Sequence, residues 1–76
     1  MTARTFVFAP TVEIATAYIE AKQMDAATHH PITRATSLRG HHGGRVVIVG
    51  SNEKNEHLAA LQNEAYWREM TVEDAA

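Results

Sequence analysis

The chain has 76 residues and no cysteine. That excludes disulfides, thiolate metal sites and cysteine nucleophiles. It also fits a reducing compartment. No apolar run comes near the roughly 20 residues needed to span a bilayer. The opening "MTARTFVFAP" carries one arginine and a short apolar stretch, without the long apolar region and small-residue cleavage site of a signal peptide. These absences predict a soluble cytoplasmic protein with no membrane partner.

Three catalytic or cofactor signatures are also missing. There is no dinucleotide-binding glycine fingerprint and no P-loop pattern. There is no GxSxG nucleophile elbow either. We therefore expect no enzyme, no cofactor and no catalytic residue. No internal repeat is present.

Acidic residues are absent from one long stretch. Between Ala26 and Asn52 there is no Asp or Glu, while Arg34, Arg39, Arg45, His29, His30, His41 and His42 all fall there. All nine carboxylates lie in the flanking segments, against Arg4, Lys22, Lys54 and Arg68, for a net charge of −2. A basic middle between acidic flanks bears on partners rather than on fold.

The apolar pattern points to an α/β domain. "RTFVFA", Arg4 to Ala9, is short, β-branched and aromatic, and reads as a buried strand. Thr11 then stands as an N-cap with Glu13 in the first turn of a helix. That helix runs from Val12 to about Asp25, with Ile14, Ala17, Tyr18, Ala21 and Met24 on a broad apolar arc and Glu13, Thr16, Glu20 and Gln23 opposite. Ala15 and Ile19 widen the arc. "PITRA", Pro31 to Ala35, reads as a weak strand, and its proline suits an edge. A single helical turn is expected around Ser37 to Arg39.

"RVVIVG", Arg45 to Gly50, is the clearest element, because four consecutive branched aliphatics mark a strand buried on both faces. Ser51 or Asn52 caps a second helix from about Glu53 to Met70, which turns Leu58, Leu61 and Ala65 to one face. The acidic tail "TVEDAA" is expected to fray, with the domain spanning residues 1–72 and the frayed end residues 73–76. The expected fold is a minimal Rossmann-like β-α-β-β-α domain. It has two helices and a three-stranded, mainly parallel sheet of order 2-1-3.

A domain of this size buries only about 60% of its unfolded surface and is marginal alone. With disulfides excluded, oligomerisation or a structural metal remains as the remedy, and we expect oligomerisation. Ile19, Tyr66, Trp67 and Met70 are the apolar residues we assign to an oligomer or partner interface. Tyrosine and tryptophan anchors favour that role.

Three polar constellations compete with it. Ligands of open α/β sheets bind beyond the carboxyl ends of strands, where the strand order reverses. Thr11, Ser51, Asn52 and Lys54 fall there, as candidate phosphate or nucleotide ligands at helix N-termini. Helix capping explains the same residues more economically. Arg34, Arg39, His41, His42 and Arg45 form a basic loop that could meet a partner or nucleic-acid phosphates. Nucleic acid is the less favoured partner, since the chain is slightly acidic and its loop has no aromatics for base stacking. The histidine pairs each offer one side of an extended chain, so they fall short of four tetrahedral ligands, and no metal site is expected.

"LRGHHGGRVVIVG", Leu38 to Gly50, following a leading β–α unit, resembles small α/β accessory proteins of actinobacterial phages. Members of that group share a short LRG turn, a Gly/Arg loop and a run of valines and isoleucines. The resemblance implies a protein made in the cytoplasm of an infected bacterium, in a group whose function is usually unassigned; a host or viral macromolecule is the partner we expect. It carries over no catalytic residues.

Overall fold

The computed structural model describes residues 4–25, 27–50, 52 and 55–75. The elements follow in the order β1 (Thr5–Phe8), α1 (Val12–Ala21), β2 (His29–Ile32), a 3-10 turn (Ala35–Leu38), β3 (Arg45–Ile48), α2 (His57–Trp67) and β4 (Thr71–Asp74). All four strands are parallel and lie in the order β2-β1-β3-β4.

Strand alternation divides the core in two. Phe6, Phe8, Val46 and Ile48 face one way and pack with Leu61, Ala65, Leu38 and Met70. Val7, Ala9, Val47 and Val49 face the other way and pack with Ala15 and Ile19 of α1. Both central strands are thus apolar on both faces, as their unbroken hydrophobic runs require. The placement of the helices follows from crossover handedness. The β1-to-β2 and β3-to-β4 connections move in opposite directions along the sheet, so right-handed crossovers lie on opposite faces. The connection from β2 to β3 moves the same way as α2, and its 3-10 turn shares the α2 face.

The expected order 2-1-3 is present, with a fourth strand added. Thr71–Asp74 does not fray but pairs in parallel with β3, and its bonds include Thr71 N–H to the Gly44 carbonyl and Ala75 N–H to that of Ile48. Met70, 7% exposed, anchors the start of this strand in the core. A short edge strand needs no apolar alternation, so "TVED" carries little sequence signal.

Other boundaries also shift. The second strand begins at His29 rather than Pro31, and the first helix ends at Ala21. A left-handed Gln23 (φ 53°) closes the turn after that helix. The second helix starts at His57 and ends at Trp67, after which Glu69 (φ 55°) reverses the chain into β4.

The first helix uses a narrower face than its apolar arc suggests. Ala15 and Ile19 are its buried residues, while Ile14 is 40% exposed. Ile19 and Met70, assigned from sequence to an interface, are therefore core residues. The sheet claims one from each helical connection, which leaves neither for a partner.

Candidate functional site

The polar residues singled out by sequence fall at opposite ends of the strands. At the carboxyl ends, Thr11 accepts a hydrogen bond at Oγ1 from the Ile14 N–H at 3.3 Å and so caps α1. Gly50 adopts φ 78°, and a Cβ there would sit 3.2 Å from both Pro10 Cδ and Ile14 Cγ2. The positive φ favours glycine, and Pro10 and Ile14 pack close against this turn.

Asn52 supports the turn after β3. Its Nδ2 donates to the carbonyls of Val49 (3.1 Å) and Gly50 (3.3 Å), and its Oδ1 accepts from Asn55 Nδ2 (2.9 Å). The first helical N–H of α2, at His57, is taken by Asn55 Oδ1 at 3.0 Å. Asn55, rather than Asn52, supplies that cap-like bond. Ser51 and Lys54 lie outside the described residues.

The basic loop runs along the amino ends of the strands, tied to the end of α2. Gly43 N–H donates to the Arg68 carbonyl at 2.8 Å, and Arg68 Nη1 donates to the His41 carbonyl at 3.3 Å. A Cβ on Gly44 (φ 96°) would approach the Arg4 carbonyl oxygen to 2.6 Å, so only glycine passes there. The His41 ring meets Phe6 edge-on at 5.0 Å. His42 Nε2 stands 3.7 Å from Glu69 Oε2, and Arg45 Nη2 donates to Glu73 Oε2 at 2.7 Å. Arg39 is exposed.

The five basic residues do not form one patch. Arg34 follows Ile32 past the carboxyl end of β2, away from His41, His42 and Arg45 at the amino end. Nor do the histidines gather. His30 and His41 flank the Phe6 ring, and His30 Nε2 is buried with no hydrogen-bond partner among the described residues. No group of three or more metal-ligating side chains occurs among the described residues.

Two features escaped the sequence reading. The acidic segment from Glu69 to Glu73 supplies partners to the basic loop, a match visible in sequence only as opposite charge. Val72, 37% exposed, lies on the unpaired edge. Tyr66 and Trp67 are exposed as expected, at 75% and 71%, with their rings edge-on at 5.6 Å. No helix among the described residues is long and apolar enough to cross a membrane. No family model, no curated protein and no solved structure matches this chain.

Proposed function

We propose that the chain is a small interaction protein, not an enzyme, that self-associates and acts by binding a macromolecule. The observation that carries this reading is the Tyr66–Trp67 pair. Two large aromatics stand side by side, both more than two-thirds exposed, on a domain with few apolar side chains to spare. Tyrosine and tryptophan supply much of the binding energy at protein interfaces, and adjacent exposed apolar rings mark such surfaces. The resemblance to phage accessory proteins supports, in our reading, a Rossmann-like domain in a bacterial host's cytoplasm, and we take a host or viral macromolecule as its target.

The alternatives draw less support. A phosphate ligand at the carboxyl ends would have to compete with the bonds that occupy Thr11 and Asn52. Nucleic acid at the basic loop would have to displace Glu69 and Glu73.

Light scattering at micromolar concentration tests the proposal. The expected result is a discrete oligomer that a Tyr66→Ala/Trp67→Ala double variant weakens or loses. A stable monomer would overturn self-association, and an unaltered oligomer would remove the aromatic pair from it.

A further inference from the structure

The edges of the sheet differ in what they offer another chain. In a parallel ladder, alternate residues turn their backbone N–H and C=O inward and outward. At β4, Thr71 and Ala75 donate inward to Gly44 and Ile48, so Val72 and Asp74 turn outward. The Val72 N–H therefore points away from β3. At β2, Ile32 accepts inward from Ala9, so His29 and Pro31 turn outward. There the His29 N–H is already taken by the Asp25 carbonyl at 3.0 Å, and Pro31 has no N–H. Among the described residues, one edge presents no free strand donor, and the other turns the Val72 N–H outward.

Resting on the self-association proposed above, we infer that a second copy of this chain pairs with β4. The two β4 strands run antiparallel across a two-fold axis, centred on Val72. Two-fold symmetry makes the pairing antiparallel and self-complementary. Only outward-turned residues can form its hydrogen-bonded pairs, which leaves three registers. Centring on Asp74 sets Asp74 against its own copy. Centring on Glu73 sets Glu73 against its own copy. Like charges directly opposite destabilise a sheet. Centring on Val72 sets valine against valine and Thr71 against Glu73, with no like charges opposed. Arg45 holds the Glu73 carboxylate within its own chain, and this half-exposed pair lowers the Glu73 charge in every register without cancelling it, so Glu73 directly opposite its own copy stays unfavourable. Val72 shares a register position with Val46, so it lies on the face of the sheet covered by α2, the helix that bears Tyr66 and Trp67.

The cysteine-free chain allows a direct test of register. Opposed hydrogen-bonded residues of antiparallel strands have Cα atoms about 5.5 Å apart, within disulfide range. Residues displaced by one position from the axis, such as Glu73 and its copy, lie roughly 8 Å apart, beyond it. Under mild oxidation, Val72→Cys should convert most of the chain to a covalent dimer, while Glu73→Cys stays unlinked. Val72→Pro removes only an outward N–H and leaves the bonds to β3 in place. It should reduce the light-scattering mass from dimer to monomer with an unchanged circular dichroism spectrum. A monomeric wild type overturns both this contact and the self-association beneath it. A wild-type oligomer that survives Val72→Pro and leaves Val72→Cys unlinked overturns the edge contact alone. Linking through Glu73→Cys instead of Val72→Cys overturns the register.

Discussion

At one edge of the sheet, β2 turns His29 and Pro31 outward; at the other, β4 turns Val72 and Asp74 outward. The first edge presents no free strand donor, because a turn carbonyl takes one N–H and proline lacks the other. The second has no such block at Val72. Among the described residues, that edge carries the charges of Glu73 and Asp74 in a strand of four residues. Proline and charge are both ways to discourage edge pairing, but they are not equivalent. Proline abolishes a bond, whereas charge only selects among registers. The difference suggests an edge kept closed and an edge kept selective.

The largest expected effect comes from the support beneath β4. Leu61 is fully buried and fixes α2, the crossover that delivers the chain to that edge. Leu61→Ala should cost about 2–5 kcal/mol, read from urea unfolding. Amide exchange should rise more at Glu73 and Ala75 than at His30 and Ile32. Equal rises at both edges would mean that α2 supports the whole sheet evenly.

Next in size is Gly44→Ala. The added methyl would meet the Arg4 carbonyl oxygen at 2.6 Å in a backbone of positive φ. Strain of that kind costs about 1–3 kcal/mol. Because the Gly44 carbonyl accepts from Thr71, the damage should appear at the Thr71 amide. An unchanged melting temperature and unchanged Thr71 exchange would show that the loop relaxes around the methyl.

Pro31→Val probes the closed edge. It restores one outward N–H, and a proline exchanged where its φ is tolerated changes stability by about 0.4–1 kcal/mol. The assembly is the sharper readout. With both edges open, light scattering should detect species larger than the wild type's at equal concentration. No change would mean that His29, bonded back to Asp25, closes the edge without help from Pro31.

Much of this architecture was legible in the sequence, unevenly and for physical reasons. "TFVF" and "RVVI" read as central strands because burial on both faces demands continuous apolar residues. The edge strands lack that constraint. "HHPI" carries a strand pattern only from Pro31 onward, and "TVED" has the composition of a loose tail. On α1 the apolar arc held more residues than the sheet could cover, and only the structure shows that Ala15 and Ile19 make the contact. Candidate sites were legible as residue types and less so as places. Arg34 and Arg45 are close in sequence, yet a crossover carries them to opposite ends of the strands. The exposure of Tyr66 and Trp67 followed from helical spacing, since both fall away from Leu61 and Ala65.

The smallest expected effect lies in the one side-chain ion pair that joins β3 to β4 among the described residues. Arg45 and Glu73 touch at 2.7 Å with about half of each side chain exposed. Pairs this open are worth about 0.2–1 kcal/mol and weaken as salt rises. A double-mutant cycle of Arg45→Ala and Glu73→Gln should therefore give a coupling within that range, reduced in high salt. The same variants bear on the open edge. Releasing Arg45 leaves the Glu73 carboxylate without its internal partner, so Arg45→Ala should weaken self-association more than Glu73→Gln, although both break the same pair. Equal weakening would mean that the pair matters only for seating β4. The opposite order would mean that Glu73 supplies an attraction across the edge rather than a charge to be held back.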